Sequence, residues 1–214
     1  MYNMIRKDID QFIASIPSNI TVVAATKYVN TDDMRSLFSH GITHFGENRV
    51  DAFLEKYQKL NDLKPTWHFI GHLQRNKAKE IINKIDYLHS LDSLSLAKLI
   101  SEHRNSPLKC FIEVAINNEK QKNGVPIDEL ENFVNEVKKL PNIEIVGLMM
   151  MTVKNSDSIS YQKQFRNTRL LKEQIENNCQ INLPFLSMGM SDDYLEAIKE
   201  KTTHIRLGRI LFDL

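Results

Sequence analysis

Lys27 is the residue best placed for covalent chemistry. It follows Ile20 and six uninterrupted apolar or β-branched residues, Thr21 to Thr26. Such a run suits a strand buried on both faces, as in a parallel sheet. An amine at the C-terminal end of that strand sits where α/β folds place their ligands. Partial desolvation there lowers an amine's pKa and makes it a nucleophile toward aldehydes. Taken alone, the stretch is equally compatible with a strand-end ammonium standing in water.

A second group lies near the C-terminus. Ser187-Met188-Gly189-Met190-Ser191 ends one expected strand, and Ile205-Arg206-Leu207-Gly208-Arg209 ends the last. In barrels the loops after strands seven and eight commonly bind phosphate through backbone N–H groups. Ser191 can offer its hydroxyl, with a plain helix N-cap as the competing role. Gly208 allows close backbone approach. Asp192 and Asp193 would repel a phosphate, so Gly208-Arg209 is the better anchor.

Other strand-end polar residues are Gly46 to Asn48, His68, Gly71, His72 and Asn117. His68 and His72 are four apart, a spacing that suits zinc only on a helix, so no metal is expected. His68 is expected to line the pocket as a hydrogen-bonding residue. Met149-Met150-Met151 suits barrel interior and pocket wall. Arg75, Lys77 and Lys79 suit a solvated helix face. The chain has no Gly-x-Ser-x-Gly elbow, P-loop or dinucleotide fingerprint.

These residues need elements to hold them. Strands are expected at Thr21–Thr26, 43–47, 66–71, 87–91, 109–116, 143–151, 183–190 and 203–207. Helical periodicity intervenes each time, for example Val50, Phe53, Leu54, Tyr57 and Leu60 after an N-cap at Asn48. Pro126 opens the helix expected to bury Ile127, Leu130, Phe133, Val134, Val137 and Leu140. Strict strand–helix alternation without hairpin signals argues a parallel sheet, and eight units suggest a closed (β/α)8 barrel. An extra N-terminal helix, marked by Ile5, Ile9, Phe12, Ile13 and Ile16, can fill the outer ring after the last strand. No linker or repeat interrupts residues 1–214, so a single domain is expected.

The totals fit that fold. A chain of 214 residues buries about 70% of its unfolded surface. Hydrophobic content is 42%, charged content 26% and formal net charge +1. That balance gives no reason to expect nucleic acid or a membrane surface as partner. Cys110 and Cys179 are far apart, so reduced thiols in the cytoplasm are expected. No stretch approaches a membrane span, and residues 1–16 have no signal-peptide character.

Lys27, Phe45-Gly46-Glu47-Asn48, Trp67-His68-Phe69-Ile70-Gly71 with Leu73-Gln74 and Asn76-Lys77, Glu119 to Gly124, Gly147-Leu148-Met149, Leu186 to Asp192 and Ile205-Arg206-Leu207-Gly208 occur in that order. This series resembles the pyridoxal phosphate homeostasis proteins, the YggS/PROSC family, over nearly the whole chain. The resemblance implies a barrel like the N-terminal domain of alanine racemase. It implies pyridoxal 5′-phosphate held as an imine on Lys27, with Asn48 on the ring side. Ser191, Gly208 and Arg209 would hold the phosphate, and Arg206 would face the pyridine nitrogen.

Two departures stand out: Arg209 where many members have threonine or serine, and Lys201 where glycine is common. An arginine beside the pyridine nitrogen weakens the cofactor's electron sink. Racemisation also needs an acid/base on the other cofactor face, which a second domain supplies in alanine racemase. The expectation is therefore a cofactor carrier without robust catalytic activity, influencing amino-acid and keto-acid balance. Apo enzymes that use the cofactor are its expected partners, and a monomer its expected state. The alternatives are an amino-acid racemase and a barrel enzyme acting on a phosphorylated metabolite.

Overall fold

The computed structural model describes residues 4–116, 123–153 and 156–213. Its strands are β1 (Thr21–Ala25), β2 (His44–Glu47), β3 (Thr66–Phe69), β4 (Tyr87–Leu91), β5 (Leu108–Ala115), β6 (Val125–Pro126), β7 (Ile143–Met149), β8 (Phe185–Met190) and β9 (His204–Leu207). All but β6 form one closed parallel ring, in which β4 pairs with β5 and β9 returns to β1. The two-residue β6 lies against β5 outside the ring and was not expected. The expectations for Asn117 and for Glu119 to Lys122 lie outside the described residues.

Helices α1 (Ile9–Ala14), α2 (Thr31–Ser39), α3 (Val50–Lys59), α4 (Arg75–Ile81), α5 (Leu94–His103), α6 (Ile127–Val137), α7 (Ser158–Cys179) and α8 (Tyr194–Lys199) surround the barrel. The main core lies between strands and helices. Trp67 on β3, for example, meets Phe53 of α3 edge-on, with ring centroids 5.2 Å apart. The alternation of strand side chains explains this layer: Phe45, Trp67, Leu88 and Cys110 face the helices while their neighbours face inward. The extra N-terminal helix sits beside the C-terminal tail. Ile5 bridges Phe212, Arg6 N–H donates to Leu211 O at 3.2 Å, and Phe12 packs on Tyr194 of α8.

The barrel interior is unusual. Such interiors are generally filled by layers of branched aliphatic side chains. Here Tyr87, Phe111 and Phe185 surround His68, His89 and His204, with ring centroids from 4.4 to 6.5 Å apart across this cluster. Ser187 and Arg206 stand above them, both buried.

Element ends differ from expectation by one to four residues, the N-terminal helix starting at Ile9 and not Ile5, and Ile127 at the start of α6 is 47% exposed and not buried. The strand before Lys27 stops at Ala25. The sixth ring strand stops at Met149; Met150 is buried, but Met151 is 42% exposed and so is not interior. Helix α3 is capped at Arg49, not Asn48. Asn48 is held instead by close packing with Gly71, where an added Cβ would lie 2.3 Å from the Asn48 carbonyl oxygen.

Candidate functional site

The C-terminal mouth of the barrel is built around the end of β1. Val23–Ala25 pair in register with His44–Gly46 on one side, and Ala24 pairs with Leu207 on the other. Continuing those registers sets Lys27 level with Asn48 on one side, while on the other Gly208 and Arg209 fall level with Ala25 and Thr26, just before it. The ends of β1, β2 and β9 thus lie at one rim, because neighbouring strands of a parallel ring end side by side.

Lys27 itself is exposed, and its Nζ stands 4.7 Å from the centre of the Tyr28 ring. That ammonium, assisted by Arg49, holds the Tyr28 hydroxyl below its ordinary pKa. A cavity of about 460 Å³ opens here, lined by Lys27, Tyr28, Asn30, Arg49 and Lys56 among others.

The residue before Lys27 is anchored firmly. Thr26 is wholly buried, and its N–H donates to Gly46 O at 3.0 Å. Its hydroxyl donates to Glu47 Oε1 at 2.5 Å. Lys56, reaching in from α3, donates to Thr26 O at 2.6 Å and to Glu47 Oε1 at 2.5 Å. The Glu47 side chain is 0% exposed and that of Lys56 10%, so this is a buried ion pair. Such pairs contribute little net stability but fix geometry and leave a costly charge if broken.

Across the rim, Gly208 N–H donates to Ser191 Oγ at 3.2 Å. A Cβ added at Gly208 would meet only Ala25, its O at 3.6 Å and its Cβ at 3.7 Å. Gly208 therefore sits in ordinary packing contact with the end of β1. Arg209 is turned aside: its Nη2 donates to both carboxylate oxygens of Asp192, at 2.7 and 2.6 Å. The helix that follows Ser191 starts at Tyr194 with Asp193 as its N-cap, so Ser191 is not the cap.

Arg206 lies deeper. Its Nη1 donates to Ser187 Oγ at 2.6 Å and its Nη2 to Met150 O at 2.9 Å. Burial pushes its guanidinium down to about 10, although Asp193 and Glu113 act the other way. The Glu113 carboxyl, buried near the end of β5, is pushed up to about 7 by burial and by Asp92. His68 is not at the rim. It is wholly buried inside the barrel, its ring nitrogens bonded to His44 and His89 at 2.9 and 2.8 Å.

Sequence reasoning missed Lys56 and Glu113, and it placed Glu47 and Ser187 at strand ends without giving either a role. One signal was available: Glu47 is a lone carboxylate in a strand whose other residues read as buried. Lys56 gave none, because a lysine on an amphipathic helix is ordinarily solvated.

Two features leave room for an organic anion with ring acceptors and donors. Asn48 Oδ1 and Glu47 Oε2 are buried without a hydrogen-bond partner in the structure, and such groups normally have one. The Gly208 turn, with the Ser191 hydroxyl beside it, is of the kind that suits a phosphate approached by backbone N–H groups. Among the described residues, no group of three or more His, Cys, Asp or Glu is arranged to hold a metal, and no helix is long and apolar enough to cross a membrane.

Comparison with known proteins agrees with this geometry. The family model described as alanine racemase, N-terminal domain, matches residues 8–214. A pyridoxal phosphate homeostasis protein of Aquifex aeolicus is 37% identical over 194 residues, covering 89% of this chain and 85% of that one. One from Synechocystis is 34% identical, covering 94% of each. The structure of PipY from Synechococcus elongatus with PLP bound superposes with a TM-score of 0.89 at 29% identity, covering 96% of this chain and all of that one. Alanine racemase from Corynebacterium glutamicum shares the fold, with a TM-score of 0.75 at 16% identity, and this chain spans 59% of it.

Proposed function

The chain belongs to the pyridoxal phosphate homeostasis protein family, whose barrel is that of the alanine racemase N-terminal domain, and from that premise we propose that it binds pyridoxal 5′-phosphate at the C-terminal mouth, as an imine of Lys27, and hands it on. The observation that carries this reading is an exposed amine just past the end of β1, together with a buried, unpartnered oxygen on Asn48 just past the end of the neighbouring β2. Ser191, with the backbone of Gly208 and Arg209, would hold the phosphate. Asn48 would meet the ring side, and Arg206 the pyridine nitrogen. His68 would act from inside the barrel and not by contact.

When bound, the cofactor supplies an electrophilic aldehyde and an electron sink. The residues here favour the first and weaken the second. Arg206 is held in place by Ser187 and the Met150 carbonyl, and a fixed cation disfavours a proton on a facing ring nitrogen. The exposed position of Lys27 leaves the attachment open to exchange with water and incoming amines. Holding and release therefore suit this site better than turnover. Apo enzymes that need the cofactor are the partners this implies, with the chain acting as a monomer in the cytoplasm.

Borohydride reduction of the loaded protein, followed by peptide mapping, is expected to place the label on Lys27, and Lys27→Ala is expected to abolish imine absorbance. A label elsewhere would refute the site. Transfer to an apo enzyme with free cofactor trapped tests the hand-over. One observation favours the rival racemase: Glu113, poised near neutrality close to Arg206, has the acidity of an acid/base group. Sustained interconversion of alanine enantiomers, lost in Glu113→Gln, would decide for it.

A further inference from the structure

Five buried or half-buried groups form one hydrogen-bonded file through the barrel. Arg206 Nη1 lies 2.6 Å from Ser187 Oγ, and Ser187 Oγ lies 2.8 Å from His89 Nδ1. His89 Nε2 lies 2.8 Å from His68 Nδ1, and His68 Nε2 lies 2.9 Å from His44 Nδ1. Ser187, His89 and His68 are at most 1% exposed. His44 lines a cavity of about 480 Å³ at the opposite, N-terminal mouth, with Thr21, Val22, Ile42 and residues of α1.

The direction of every bond in this file follows from its first member. Arginine has donors and no acceptor, so Ser187 Oγ must accept from it. The Ser187 hydroxyl proton then needs an acceptor, and among the described residues His89 Nδ1 is the one within reach. His89 must therefore carry its proton on Nε2 and donate to His68 Nδ1. By the same step His68 carries its proton on Nε2 and donates to His44 Nδ1, which leaves the His44 proton on Nε2. Burial holds His68 and His89 well below the ordinary histidine range, so both rings are neutral and the count of one proton per ring is met.

We infer that Arg206 sets a single tautomer on His89, His68 and His44, and that this polarised column couples the cofactor mouth of the barrel to its N-terminal mouth. Each imidazole presents its acceptor nitrogen toward the arginine, so the ring dipoles add and solvate a buried guanidinium that pairs with no carboxylate among the described residues. A bond chain of this kind cannot change direction one link at a time. Loss of the donor at one end frees all three rings, and a change of hydrogen bonding at Arg206 is transmitted to His44. The three histidines are thus positioning residues for Arg206. Coupling to the cofactor rests on the function proposed above; the tautomers do not.

Histidine ring ¹⁵N spectra of the cofactor-free protein test the column directly, with assignments from single His→Gln variants. All three rings are expected as neutral Nε2–H tautomers. Nδ1–H on His68 or His89, or a charged ring at neutral pH, would overturn the inference. Ser187→Ala, a small change that keeps the core filled, is expected to bring in a second tautomer population at His68 and His44; unchanged spectra there would refute the coupling. Adding pyridoxal 5′-phosphate is expected to shift the His44 ring nitrogens in the parent protein and not in Ser187→Ala. If imine absorbance never develops, the proposed function fails, and the column stands or falls on the cofactor-free spectra.

Discussion

Lys27 is useful only because its neighbours are not free to move. Thr26 donates or accepts through its N–H, carbonyl and hydroxyl, and two of these bonds reach the buried Glu47–Lys56 pair. Removing one partner of such a pair leaves the other buried and unpaired. Lys56→Met is accordingly expected to cost about 3 kcal/mol by urea unfolding, and Lys56→Met with Glu47→Gln to recover much of that loss. A cost below about 1 kcal/mol would mean the pair is solvated and not structural. Across the mouth, Ser191 is the side-chain hydroxyl nearest the Gly208 turn. A hydrogen bond to a charged group contributes about 1.5–3 kcal/mol, so Ser191→Ala is expected to weaken cofactor binding at least about tenfold. Arg209 should matter less, since Asp192 already engages its guanidinium.

At the scale of elements, the turn after α8 shows what a departure from a family pattern means physically. Lys201 has φ 62°, in the left-handed region. Its N–H donates to Ile198 O and that of Thr202 to Ala197 O, both at 3.1 Å, which closes the helix with paired reverse bonds. A glycine fits this position without the Cβ penalty, so Lys201→Gly is expected to stabilise by about 0.5–1 kcal/mol despite its freer unfolded chain; a loss of thermal stability would count against it. The strand order and the number of ring units were legible because β-branched runs and helical periodicity mark each unit. The ends were not. Leu183 and Pro184 lie outside β8, and Met150 outside β7, because closure of the ring decides where ladder bonds stop. The histidine column was invisible for the same reason. His44, His68 and His89 stand on three separate strands, and only the inter-strand register brings them into line.

For the whole molecule, the polar interior sets how stability depends on pH. His68 and His89 are held well below their ordinary range, and His204 is pushed down to about 3, in each case mainly by burial. An unfolded histidine takes up a proton below about pH 6.5. The native rings do not, so the unfolded state binds more protons and stability rises with pH up to that point. Glu113 acts in reverse. Its native carboxyl keeps a proton to about 7, whereas the unfolded one loses it near pH 4.5, so its contribution falls with pH across that window. Three histidines against one carboxyl leave about two protons, or about 2.7 kcal/mol per pH unit, near pH 5, and the slope falls away toward pH 6.5 as the unfolded rings lose theirs; His44, also lowered by burial, acts in the same direction. Exposed pairs such as Arg35–Asp62 should add little, because solvent screens them. Urea unfolding across that range is expected to show this slope, reduced by one proton in His89→Phe and increased by one in Glu113→Gln. A flat profile would mean that water reaches the rings and protonates them in place. A barrel packed with aliphatic residues would have no such dependence; this one exchanges acid tolerance for an interior that holds a buried arginine beneath its binding mouth.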